Sequence, residues 1–478
     1  MTANTQILVQ TADPSPDGNG VFGDAFGVPL LNDAGQAAFW ARLLATQDPG
    51  ELDDQGLYLA DTDGLATLAR GGQPSAAGNL LRLDILEVSV LARRVLMGID
   101  AAGSVAFLAD DDQDMDAIYR SDGNLSVLVQ EGQDLSFGTN LQLGPAATGF
   151  LVNDSGDLAY RAIASSVNVL VGRNTEAGDF ALFTSDQALP GGGTLQNFRD
   201  FAFNQSGTVL ARLNTSNSTF GYFSTDGTTE QILMQTGQAA PDGLGSFNVV
   251  ARVAPAINAN GAAALVLGVD DVMTDYVGLF TGDAGGLTER LRTGDSLPGG
   301  QLAGFIGGAV INGSGDVVFT AQTGGLNRLF QLRGAQLRVI AQPGDVLDEL
   351  NGALINNIEG WTQNELGQVA FSASVVQTGV PQRRAVFLHD PALGRVLLVA
   401  AGEPFTGDTL TEIGVALPQW PFETNTLENA QTGLNNEGQV VFSFALLGGG
   451  RGIALATVER VLGDLIFRDS FEMSGAGP

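Results

Sequence analysis

Asn364-Glu365-Leu366-Gly367-Gln368-Val369-Ala370-Phe371 reads as a tight turn followed by a strand. Asn at the first position of a type I turn caps the backbone with its side chain. Gly at the fourth takes the φ > 0 conformation that lets the next strand pair back. The strand Gln368-Val369-Ala370-Phe371 does not alternate polar with apolar, so it predicts burial on both faces, as between two packed sheets.

The stretch recurs along the whole chain. Leu31-Asn32-Asp33-Ala34-Gly35 leads to Ala38-Phe39, and Ile99-Asp100-Ala101-Ala102-Gly103 leads to Ala106-Phe107. Asn153/Gly156 leads to Ala159-Tyr160, Asn312/Gly315 to Val318-Phe319, and Asn435/Gly438 to Val441-Phe442. Asn204/Gly207 and Asn258/Gly261 repeat the turn without the aromatic. The eight copies stand 68, 53, 51, 54, 54, 52 and 71 residues apart, a period that belongs to repeat architectures. A second marker, an acidic or amide residue after a strand, falls at Asp13, Gln73, Gln133, Gln187, Gln238, Asp295, Asp345 and Glu403. Between the markers lie short strands such as Gly56-Leu57-Tyr58-Leu59 and Val277-Gly278-Leu279-Phe280, giving four strands per unit, the size of a propeller blade.

The phase of the two markers decides between an open and a closed array. Asp13 precedes any Asn turn, and no second marker follows Asn435. The chain therefore starts with the second half of a unit, Gln6-Ile7-Leu8-Val9, and ends with a first half. Joining the two completes an eighth blade and removes the unpaired edge an open solenoid would have to cap. The expectation is an all-β fold: a single eight-bladed β-propeller over residues 1–462, closed by pairing N-terminal and C-terminal segments in one blade, with a tail at 463–478.

Composition narrows the function classes. The 478 residues are 44% hydrophobic, enough for a large core, and include 65 glycines, as many short strands and tight turns require. A net charge of −31 repels nucleic-acid phosphates and anionic lipid heads, leaving divalent cations, cationic ligands and neutral glycans as partners. Without cysteine there are no disulfides, thiolate metal sites or thiol nucleophiles. No run of 18 apolar residues is present, so no membrane-spanning helix is expected.

The Asn-x-x-Gly-x-x-Ala-Phe pattern, best at Asn32, Asp100, Asn364 and Asn435, resembles a family of exported bacterial proteins named for that tandem repeat. The resemblance covers residues 5 to 460 and implies export to the extracellular space or cell surface, with a signal peptide removed. It implies no reaction. The ending Gly463-Asp464-Leu465-Ile466-Phe467 is similar to short tails of other exported bacterial proteins.

Few side chains suggest chemistry. His389 is the only histidine and, in Leu388-His389-Asp390-Pro391, reads as a surface loop entered from a strand, which disfavours Ser-His-Asp hydrolases and multi-histidine metal sites. Asp110, Asp112, Asp114 and Asp116 alternate along one loop and are candidate calcium ligands, although the Gly and terminal Glu of an EF-hand are missing. Trp420 and Phe422, in the longest unit, and Trp40, near the insertion Asp48–Asp54, are candidate ligand platforms, on the expectation that insertions project from one end of the ring. Trp361 is expected in the core between blades. The reading is an exported, monomeric, non-catalytic binding propeller whose ligand is a glycan or a surface partner. Two alternatives stand beside it: a polysaccharide lyase or glycosidase in the central channel, and a structural cell-surface component.

Overall fold

The computed structural model describes residues 3–47, 53–75, 81–83, 86–87, 93–94, 97–143, 149–175, 178–217, 219–243, 245–250, 255–271, 273–417 and 432–458. The expected tail at 463–478 lies outside them.

Each Asn turn joins the first strand of a blade, a, to the second, b, and the chain then meanders outward through c and d. Blade 7 is the most regular: a is Ala353–Gln363, b Val369–Gln377, c Val380–Asp390 and d Gly394–Ala400. All neighbours in it pair antiparallel, in sequence order. Seven further sheets repeat this plan, so the protein is a propeller of eight blades. Among the described residues the one helical element is a short turn, Asp348–Leu350.

Closure follows the phase of the repeat. Blade 8 takes a (Asp408–Gly414), b (Gln439–Leu446) and c (Arg451–Thr457) from the C-terminal part of the chain and d (Asn4–Gln10) from the N-terminal part. Asn4 lies opposite Thr457 and Gln10 opposite Gly452. A register shift interrupts the c–d ladder in each blade, and the N-terminal strand repeats it between Ile7 and Val9. The closing strand thus copies its seven counterparts.

Strand b explains why the motif ends in two apolar residues. In blade 7 every residue from Val369 to Val375 is buried. Its aromatic meets the aromatic of strand c across the ladder: Phe371 stacks on Phe387 at 5.0 Å, Phe319 on Phe330 at 5.6 Å, Phe107 on Tyr119 at 5.7 Å and Phe39 on Tyr58 at 5.6 Å. Trp361 is fully buried between blades 6 and 7, as expected. From blade 1 through blade 7 the a strands of successive blades touch one another, which makes a the innermost strand and the lining of the central channel.

Candidate functional site

The repeated asparagines act twice over. Each Oδ1 closes its own turn: that of Asn364 accepts from the N–H groups of Leu366 (3.1 Å) and Gln368 (2.9 Å), as a capping Asn should. Each Nδ2 reaches the next blade. Asn32 donates to the carbonyl of Asp100 (3.0 Å), Asn204 to Asn258 (2.9 Å), Asn258 to Asn312 (2.8 Å), Asn312 to Asn364 (3.3 Å), Asn364 to Asn435 (2.9 Å), and Asn435 back to Asn32 (3.2 Å). Asn153 makes its bond one residue along, to Gln205 (3.4 Å). Asp100 has no donor to offer; it pairs with Arg120, and the N–H of Ala101 bonds the Asp154 carbonyl (3.0 Å) in its place. All eight residues are buried, so each bond forms where an unmet polar group costs most.

A second, exposed ring lies against the first. The N–H of Glu365 bonds Asn436 (2.8 Å), that of Asn436 bonds Asp33 (2.9 Å), that of Gly313 bonds Glu365 (2.6 Å) and that of Asp154 bonds Gln205 (2.7 Å). Burial raises the Asp154 carboxyl above the usual carboxylate range, and the like charges of Asp33 and Asp100 push the same way, as expected where one rim gathers carboxylates.

The second marker is equally structural. In seven blades its side-chain oxygen accepts the N–H three residues earlier, as Gln73 does from Arg70 (2.9 Å) and Asp295 from Arg292 (2.8 Å). Glu403 instead pairs with Arg383 at 2.7 Å.

The other singled-out residues fall in varied places. Trp420 and Phe422 lie outside the described residues. Trp40 is 1% exposed, packed with Leu57, Leu68, Met97 and Phe107 between blades 1 and 2, so it presents no ring face to a ligand. The sequence missed this because strand b runs through core on both sides. Asp110 is the penultimate residue of strand b of blade 2 (Val105–Asp111), while Asp112, Asp114 and Asp116 lie in the turn beyond it. That turn is organised by Asp111, whose Oδ1 accepts the N–H groups of Gln113 (2.9 Å) and Met115 (3.1 Å); Asp114, at φ 58°, turns away to pair with Arg82. Among the described residues no three acidic or histidine side chains gather into a ligand set.

His389 belongs to strand c of blade 7 and is buried, where a surface loop was expected. Burial holds its imidazole down to about 4, with Arg338 and Arg395 adding to the effect and Asp390 opposing it. It is a neutral core histidine at neutral pH.

What the repeat does not consume is the middle of strand a. Ladder pairing there breaks in blade after blade: between Phe22 and Phe26, Phe198 and Phe201, Phe247 and Val250, and Phe305 and Ala309. The two longest units carry extra residues in this segment, 27 from Gln73 to Asp100 and 32 from Glu403 to Asn435, against 17 to 20 in the other blades. In blade 8 the described flanks of the longer segment meet where the N–H of Gly433 bonds the Ala416 carbonyl (2.8 Å).

The side chain eight residues after the motif Asn faces this kink from strand b. Thr320 bonds the Ile306 carbonyl in its kink, and Ser443 bonds that of Gly414. In blades 3 and 4 the same register holds Arg161 and Arg212. Arg212 lies 3.4 Å from Asp200, in the blade 4 kink, beside exposed Arg199. Arg161 stacks over Phe201 at 5.5 Å. Counting eight from each Asn would have found both arginines in the sequence. Four blades away, Arg384 pairs with Glu359 at 2.6 Å and bonds the Ile413 carbonyl, tying the kink of blade 7 to blade 8.

The ends of the ring also differ. Of nine large apolar side chains exposed among the described residues, eight lie at the b–c and d–a end, Met273 at 87% and Leu447 at 73% among them. Only Leu366 lies at the Asn end.

Eight four-stranded blades, a shared outer strand and a ring of asparagine bonds define a closed eight-bladed β-propeller. The chain belongs to a family of unknown function (DUF7453), which it matches over residues 1–114 and 99–460. No curated protein matches it. Among solved structures it is similar to the WD40 domain of SCAP from fission yeast, with 9% identity, coverage of 95% of this chain and 94% of that one, and a TM-score of 0.39. It is also similar to the fucose-binding, six-bladed lectin of Aleuria aurantia (11% identity, 66% and 94% coverage, TM-score 0.27). A third similar structure is SapL1 lectin in complex with alpha methyl fucoside (10% identity, 66% and 96% coverage, TM-score 0.28).

Proposed function

We propose that the protein is an exported, non-catalytic binding module that engages a glycan at the kinked inner strands of its channel. One observation carries this reading: the signatures that recur in every blade are satisfied within the fold, while departures from the repeat, in length and in charge, collect at the kink of strand a. A scaffold that keeps its frame constant and varies one concave surface is the usual arrangement of a recognition site. The closed ring supports it further, because a preorganised wall loses little entropy on binding.

A lyase reading rests on the same wall, where Arg212, Asp200 and a tyrosine, Tyr222, come together. Tyr222 is 1% exposed and its hydroxyl is raised well above the ordinary range by burial, so it stays protonated and out of a substrate's reach. Binding is therefore preferred to catalysis.

The test is incubation of the pure protein with neutral and acidic polysaccharides, reading retained protein and released oligosaccharides together. Retention without products is expected. Products with unsaturated ends would convert the reading to a lyase, and failure to retain on any polysaccharide would remove the glycan.

A further inference from the structure

We infer that Arg161, Arg199 and Arg212 form an anion subsite on the channel wall of blades 3 and 4, shaped for a carboxylate carried on a sugar, so that the glycan is a uronate. This rests on the binding reading above and names its ligand class.

The charge count at the wall is uneven. Among the described residues the carboxylate here is Asp200, which Arg212 engages at 3.4 Å and whose charge, with that of Arg199, also reaches Arg161. Among the described residues no carboxylate lies within ion-pair distance of Arg161 or Arg199, and the Nε of Arg161 is buried without a hydrogen-bond partner. Burial lowers the Arg161 pKa; the charge of Asp200 opposes this, and the like charge of Arg199 adds to it. Stacking on Phe201 compensates in part, since a cation over a ring gains on the order of 1 kcal/mol. The Phe201 face cannot supply the in-plane acceptors a guanidinium prefers, which a carboxylate offers in matching fork geometry.

The fold itself does not ask for these charges. At the same register the other six blades carry Trp40, Leu108, Val266, Thr320, Ser372 and Ser443. Adjacent blades depart together at one register of strand b, and Arg199 lies exposed on the innermost strand of blade 4 beside Asp200.

The net charge of −31 sets the terms of binding. Its repulsion acts over a Debye length of about 8 Å at physiological salt, whereas an arginine–carboxylate contact acts at hydrogen-bond distance. A sugar polymer with one carboxylate per ring meets less of that repulsion than a polyphosphate does, and its neutral groups remain available for the rest of the wall.

The experiment measures binding of polygalacturonate, its methyl-esterified form and neutral dextran to the wild-type protein and three variants. Arg199→Ala removes an exposed charge at the subsite. Arg161→Gln removes the half-buried one. Arg338→Ala removes an exposed charge on the outer strand of blade 6 and controls for overall charge. The inference predicts binding of polygalacturonate in preference to the ester, a loss of tenfold or more in Arg199→Ala and Arg161→Gln at unchanged melting temperature for Arg199→Ala, and no loss in Arg338→Ala. Equal binding of acid and ester, or an unchanged affinity in Arg199→Ala, would overturn it. Retention on dextran with none on polygalacturonate would overturn the subsite and leave the glycan reading intact. Failure on all three polymers would overturn both.

Discussion

Strand a is built to two specifications within a dozen residues. Its last residues run into the Asn turn, where the same side chain closes the turn and holds the neighbouring blade, and where length scarcely varies. Its middle breaks register, is where blades 2 and 8 carry extra sequence, and is faced from strand b by the arginines of blades 3 and 4. One half sets the geometry of the ring and the other is free to differ. The contrast teaches that in this propeller repetition marks structure, and loss of repetition marks the surface proposed to bind.

Substitutions at the two halves should therefore fail in different ways. Asn258→Leu leaves the N–H groups of Asn260 and Ala262 and the carbonyl of Asn312 without their partner. One buried and two part-buried groups losing a hydrogen bond predict a loss of about 3 kcal/mol, read as a lower urea midpoint. If the midpoint held, the ring of asparagines would be ornamental.

His389 lies at the same end, opposite Val369 in the strand that leaves the Asn364 turn. Its folded pKa, about 4, is below the ordinary 6.5, so the unfolded chain takes up the proton first. Stability from keeping it neutral is complete above pH 6.5 and is lost as pH falls toward 4, up to about 3 kcal/mol. The difference in unfolding free energy between wild type and His389→Asn, followed from pH 7 to 4, should shrink by that amount. A difference independent of pH would mean that the imidazole is solvated.

Gly103→Ala tests how tightly neighbouring turns pack. At φ +86°, a Cβ here would lie 2.5 Å from the Gln36 side chain of the preceding blade. Strain and contact together predict about 2 kcal/mol. Arg199→Ala, in the kink, should move stability by less than about 0.5 kcal/mol, because nothing in the ring leans on it. A large stability loss there would erase the contrast between the two halves.

Much of this architecture was legible in the residues. The Asn-to-Asn spacing counts the blades, the offset between the markers places the closing blade, and the paired apolar residues after each Gly announce a strand buried on both faces. The second bond of each asparagine was not legible, since the local turn already accounts for Asn and its Nδ2 partner sits some 50 residues along the chain. Trp40 and His389 were misplaced for a related reason. A tryptophan near an insertion and a histidine before Asp-Pro look exposed in sequence, yet both occupy strands whose neighbours arrive from distant units. Asp110, Asp112, Asp114 and Asp116 have the alternation of a ligand loop, but the chain turns about Asp111 and spreads them. Arg161 and Arg212 were legible in principle, because only the register connects them.

The closing blade has a mechanical consequence. Asn4 and Thr457 face each other at the same end of an antiparallel pair. Tension applied through residues 3 and 458 would load the ladder from that end, parting Asn4 from Thr457 first and then each pair in turn, like a zipper. Ladders pulled so that all rungs share the load resist far more. A propeller held at both termini should yield at blade 8 under small force, with the other seven blades still folded, and snap shut when the tension is released.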